Sequence, residues 1–188
     1  MSIIAKRPEG DRNFEPAPEG TYQAVCVDVV DLGLVASEFQ GEKSVKHKVR
    51  IAFQLAEERT DGKRFLVSSF FNLSLHEKAS LRLFLEAWRG RRFTESEVID
   101  GFDLEKIIGA NAQVQVVHRE YKGNTFSNIN AILPWPAKFG EAITPVDYVR
   151  MIDREPKAED GAHQMEHQEP QKAKAAVVDS FDDDEIPF

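Results

Sequence analysis

The chain has 188 residues, 41% of them hydrophobic and 30% charged, and a formal net charge of −8. That length holds one ordinary domain with appendages or two very small ones; the composition excludes a wholly disordered chain, and without any run of about 18 apolar residues no membrane span is expected. The charge is uneven: residues 151–188 carry 4 Lys/Arg against 11 Asp/Glu, leaving 20 basic and 21 acidic residues in 1–150, so the acidic balance belongs to the C-terminal part and excludes no anionic partner for the rest.

Residues 1–19 hold Pro8, Pro16 and Pro18 among many charges and read as an extended arm. Lys6 and Arg7 are followed by no apolar stretch, so no secretory signal is expected. Residues 21–32 are Val-rich and predict a first strand ended by Gly33, with 33–43 a polar loop carrying Phe39. Cys26, the single cysteine of the chain, falls in that strand and is expected to be a buried, reduced thiol, which points to the cytoplasm. Residues 44–56 alternate, with Val45, Val49, Ile51, Phe53 and Leu55 on one face and Lys46, Lys48, Arg50 and Gln54 on the other, the period of a half-buried strand. Asp61-Gly62 marks a hairpin turn into a third strand over 64–73.

A helix follows. Ser74 and Glu77 have the spacing of a capping box, and Leu81, Phe84, Leu85 and Trp88 form one apolar stripe that Gly90 ends. Thr94 and Glu97 repeat the capping spacing, and 103–108 predict a short helical turn closed by Gly109. Two further strands, 112–121 and 125–133, are joined by Lys122-Gly123-Asn124. After Trp135 the pattern weakens, with a short helix expected over 144–151 and a disordered linker beyond. The chain thus divides into an arm (1–19), a domain (20–150), a linker (151–178) and an acidic tip (179–188). Five antiparallel strands with a helix between the third and fourth is the order of an OB-fold barrel, mainly β, although other small α+β meanders share the string.

The tip ends in Asp182-Asp183-Asp184-Glu185-Ile186-Pro187-Phe188. Consecutive carboxylates stay in water unless cations pair with them, whereas Ile186 and Phe188 are apolar and have nothing local to pack on. Pro187 restricts the backbone, which lowers the entropy lost on docking. Such a peptide suits a shallow apolar pocket rimmed by Arg or Lys on another protein, the ring filling the pocket and a cation holding the terminal carboxylate.

In these residues the chain resembles bacterial single-stranded-DNA-binding proteins, whose tails end in an aspartate run followed by Ile-Pro-Phe. The likeness covers about eight residues and the layout of barrel, linker and tip; Glu185 between the aspartates and Ile186 departs from it. Pro18-Glu19-Gly20-Thr21-Tyr22 and Leu73-Ser74-Leu75-His76-Glu77-Lys78 resemble a group of phage- and prophage-encoded proteins of this length. The resemblance implies a protein of the bacterial host cell, associated with the nucleoid. It would coat single-stranded DNA and recruit replication, recombination or repair enzymes through the tip, and homo-oligomers are common among such proteins.

Single strands are held by cations along a groove and by aromatic faces on which bases stack. Lys46, Lys48 and Arg50, with Lys43 before them and Arg64 on the next strand, supply a basic row, which reads either as a DNA track or as a solvated strand face. Arg119, Tyr121, Lys122 and Phe126 cluster on the last hairpin, where Tyr121 and Phe126 serve equally as stacking faces or as a cross-strand pair. Phe39 and Trp135 are further stacking candidates. Phe53, Phe65, Phe71, Phe84 and Trp88 are assigned to the core. Arg89, Arg91 and Arg92 complement the helix dipole or bind phosphate.

No catalytic constellation emerges: the five histidines are scattered, with no zinc spacing, phosphate loop or nucleophile elbow, so no enzyme, metal or cofactor is expected. Asp28 and Asp31 could bind a metal as a nuclease does, but the sequence gives no reason to prefer that over surface charge. Two other functions fit the same residues, a strand-annealing recombination mediator and an adaptor that captures a host enzyme through the tip without touching DNA.

Overall fold

The computed structural model describes residues 15–39, 42–121 and 123–154, without the side chains of residues 37–39, 42, 43, 121 and 137. The chain divides after Arg154, and the described residues all belong to the first of its two units. Residues 1–14 of the expected arm, the linker from residue 155 and the acidic tip lie outside the described residues.

Among the described residues, five strands form one antiparallel sheet: β1 (Gly20–Phe39), β2 (Glu42–Glu58), β3 (Arg64–Asn72), β4 (Asn111–Tyr121) and β5 (Asn124–Pro134). Their spatial order is β3-β2-β1-β4-β5, so β3 and β5 are the edges of an open hydrogen-bonded sheet. Those two edges approach one another, and the helix α1 (Ser80–Arg89) packs against both. The protein is therefore mainly β, with α1 and a short α2 (Glu95–Asp100) between β3 and β4.

The core lies on the inner face. Ile51, Phe53 and Leu55 from β2, Phe65 and Val67 from β3 and Val114 and Val116 from β4 are buried there with Leu81, Leu85 and Trp88 of α1. The helical stripe therefore works as its spacing predicts, and Phe71 and Phe84 pack against the same cluster. Trp88 donates its indole N–H to the Asn111 carbonyl at 2.9 Å, which satisfies the polar atom of a buried ring. Gly90 ends α1 in the left-handed conformation (φ 66°), as a C′ glycine does. Thr94 and Glu97 form the capping box of α2.

The structure departs from the sequence expectations in four places. β1 does not stop at Gly33 but runs on to Phe39, paired with β2 throughout. Gly33 has φ +65° and sits at a β-bulge, where its N–H donates to Asp31 Oδ1 at 2.7 Å; the glycine bends the strand instead of ending it. Val45 is exposed, because β1 and β2 continue as a two-stranded ribbon past the paired ends of β3 and β4. Ser74 caps no helix: its Oγ accepts from the His76 N–H in a local turn, and α1 begins at Ser80 with no side-chain cap.

The fourth departure matters most for the site. Residues 141–150 form no helix but an extended strap, followed by a single 3-10 turn at Met151–Asp153. Two side-chain amides grip its backbone. Asn111 donates to the Ile143 carbonyl (2.8 Å) and accepts from the Ile143 N–H (2.9 Å). Gln54, itself buried, does the same to Val146, donating to its carbonyl (2.7 Å) and accepting from its N–H (2.8 Å). Each amide stands in for a stretch of β-ladder, so the strap needs no strand of its own. Beneath it Val25, Val27 and Ala52 are buried on the outer face of the sheet, with Ile143 and Tyr148 packed on them.

Candidate functional site

Outward-facing side chains of β2 and β3 are set by pairing. Lys48 lies opposite Asn72, Arg50 opposite Phe70, Ala52 opposite Ser68 and Gln54 opposite Leu66, and directly opposed residues of an antiparallel pair share a face. The row Lys46, Lys48 and Arg50 is thus one edge of a surface whose other edge is Leu66, Ser68 and Phe70. The sequence Phe70-Phe71 splits across the sheet: Phe71 turns into the core while Phe70 stays 63% exposed. An aromatic ring left in water opposite a guanidinium, with Lys48 one place further along the same row, can stack a flat ring and hold its anion. Sequence reasoning passed over Phe70, yet alternation from the buried Phe65 and Val67 already places it outward.

The strap closes the opposite side of this surface. A groove of about 190 Å³ runs between them, lined by Arg50, Ala52, Leu66, Ser68, Tyr148 and Arg154, among others. Arg50 Nη2 lies 3.3 Å from the Met151 sulfur, and its Nε is buried without a hydrogen-bond acceptor. Arg64 begins the same outward row of β3 and donates to the Thr144 carbonyl of the strap at 2.9 Å. Arg154 donates Nε–H to the Val149 carbonyl and holds its guanidinium 5.5 Å from the centre of the Tyr148 ring.

The strap is locked by Asp28, which is not surface charge but 1% exposed on β1. Its carboxylate accepts from the Tyr148 hydroxyl (3.0 Å), the Met151 N–H (2.8 Å) and Arg150 Nε (3.4 Å). Burial raises the pKa of this group, but the Met151 N–H, Tyr148 and Arg150 together outweigh it and hold the carboxyl below the usual carboxylate range. Burial and the Asp28 charge push the Tyr148 hydroxyl up. Arg150 also pairs with Glu105 at 2.8 Å. Asp31, by contrast, is exposed and faces His47.

Other sequence candidates lie elsewhere. Arg119 and Phe126 oppose each other on the β4–β5 hairpin and are both exposed. The register carries that hairpin past Gly20, whereas Lys46 and Lys48 pair with the far half of β1, so the two basic groups sit toward opposite ends of the sheet. Trp135 follows β5, donates to the Gly140 carbonyl (3.2 Å) and meets Phe139 edge-on at 5.9 Å. Arg89 and Arg91 both bind Glu97, which consumes them structurally. Lys122 and the tip residues 182–188 lie outside the described residues, as do the side chains of Phe39, Lys43 and Tyr121.

Cys26 is buried, and burial pushes its thiol up to about 12. Among the described residues no group of three or more His, Cys, Asp or Glu is placed to hold a metal ion, and no helix is long and apolar enough to cross a membrane. No family model matches the sequence, and no curated protein matches it.

Proposed function

We propose that the protein binds single-stranded DNA without strong sequence preference along the outer face of β2 and β3, and that its acidic tip recruits replication, recombination or repair enzymes. The observation that carries the reading is Phe70, an exposed ring directly opposite Arg50 with Lys48 and Lys46 along the same row. Base stacking on such a ring is indifferent to base identity, because every base has a π-face, and the cations supply the salt-dependent part. The sheet order β3-β2-β1-β4-β5, with edge strands in contact and a helix against both, supports an OB-fold barrel. In such barrels this strand face is a usual seat for oligonucleotides. The tip Asp182-Asp183-Asp184-Glu185-Ile186-Pro187-Phe188 supplies the second half of the function, as an acidic, apolar-ended peptide for a basic-rimmed pocket. Its resemblance to the tails of bacterial single-stranded-DNA-binding proteins makes host enzymes of DNA metabolism the expected partners.

Anisotropy of labelled oligo-dT, oligo-dA and a duplex of equal length, titrated with the full chain at several salt concentrations, tests the reading. Comparable affinity for both single strands, weaker duplex binding and a steep loss with salt are expected. Absence of single-strand binding at low salt would refute it and leave an adaptor that works through the tip alone.

A further inference from the structure

We infer that the strap is the second wall of the single-strand groove, and that Tyr148 and Arg154 contact the bound strand. This rests on the DNA reading above and adds to it residues from a segment whose sequence suggests a short helix instead. A strap that merely sealed the outer face would end once Val25, Val27 and Ala52 were covered. This one continues: after the Asp28 anchor the chain turns through Met151–Asp153 and brings Arg154 back over the Tyr148 ring, 5.5 Å from its centre. Both side chains then line the groove opposite Leu66 and Ser68, with Arg50 and Ala52 as its floor.

The chemistry of this slot favours one kind of occupant. None of its lining residues is acidic, and two are arginines. The Arg154 guanidinium is held by its Nε–H alone, so its terminal amino groups have no acceptor among the described residues. An anion with an attached flat ring suits this lining, the phosphate taking the terminal donors of Arg154 and the base lying between Leu66 and Tyr148. At about 190 Å³ the groove between β3 and the strap leaves room for a flat ring. The anchors on Asp28, Gln54 and Asn111 keep this wall in place before the strand arrives, which reduces the ordering cost of binding.

The test compares Arg154→Ala, Arg154→Lys and Phe70→Ala with a charge-matched control, Lys106→Ala, on the exposed 3-10 turn before β4. Full-length proteins are titrated with labelled oligo-dT across a salt series, and thermal unfolding is followed in parallel. Arg154→Ala is expected to weaken binding about tenfold and to flatten the log–log salt slope by about 0.7, the loss of one phosphate contact on a single strand. Arg154→Lys should restore the slope, and Lys106→Ala should change neither quantity. Should Phe70→Ala weaken binding while Arg154→Ala binds with wild-type affinity and slope, the strap is only a cover: this inference falls and the DNA reading stands. Should the wild-type chain fail to bind oligo-dT, both fall.

Discussion

At Asp28 a carboxylate is withdrawn from water, which costs free energy unless its oxygens are taken up by donors. Three donors from the strap take them up, so the residue converts a desolvation cost into a lock between β1 and residues 148–151. Asp28→Asn keeps the shape and removes the charge; since Arg150 retains Glu105, the loss should be about 2 kcal/mol in urea unfolding. The pH dependence has a definite sign. A carboxyl held below its unfolded pKa of about 3.9 contributes stability above that pH and loses it as pH falls through the folded value. The gap between wild type and Asp28→Asn should therefore be constant from neutral pH down to about 5 and close at lower pH. Phe70 is the opposite case, a large ring the fold leaves in water. Phe70→Ala should change folding stability by less than about 0.5 kcal/mol, yet cost about 1–3 kcal/mol in oligo-dT affinity. Equal losses in both would mean the ring serves the fold.

Elements were legible where the pattern is periodic. The alternation in β2 and β3, the Asp-Gly turn and the apolar stripe of α1 all follow from side-chain spacing, because burial on one face imposes a period. The strap has no such period. Its backbone groups are satisfied by the amides of Gln54 and Asn111 and the carboxylate of Asp28, residues distant in sequence, so nothing local announces it. Gly33 misleads for a related reason: a positive-φ glycine commonly ends a strand, and only the pairing partner shows that here it makes a bulge. The cations Lys46, Lys48 and Arg50 were legible as a row, but their companion Phe70 was hidden by its neighbour Phe71, and Tyr148 and Arg154 by the strap itself. If the strap belongs to the domain, a chain ending at residue 154 should unfold with the same midpoint as the full chain. One ending at residue 140 exposes Val25, Val27 and Ala52 and strands Asp28, and should unfold several degrees lower or aggregate.

For the whole molecule, a net charge of −8 coexists with a cationic groove because nearly all of the acidic excess lies beyond residue 150. Long-range repulsion then slows the approach of an anionic strand without removing its contacts. Deleting residues 181–188 takes away four carboxylates, so association with oligo-dT should be faster at low salt, and the difference should vanish at high salt. The same deletion should abolish capture of partner enzymes while leaving the unfolding midpoint unchanged. The central claim, that a single strand lies between β3 and the strap, is tested most directly by photocrosslinking the full chain to oligo-dT bearing 5-iodouracil and mapping the attached peptides. Crosslinks at Phe70 and at Tyr148 are the result expected. Crosslinks confined to the Arg119–Phe126 hairpin or to Trp135 would contradict it.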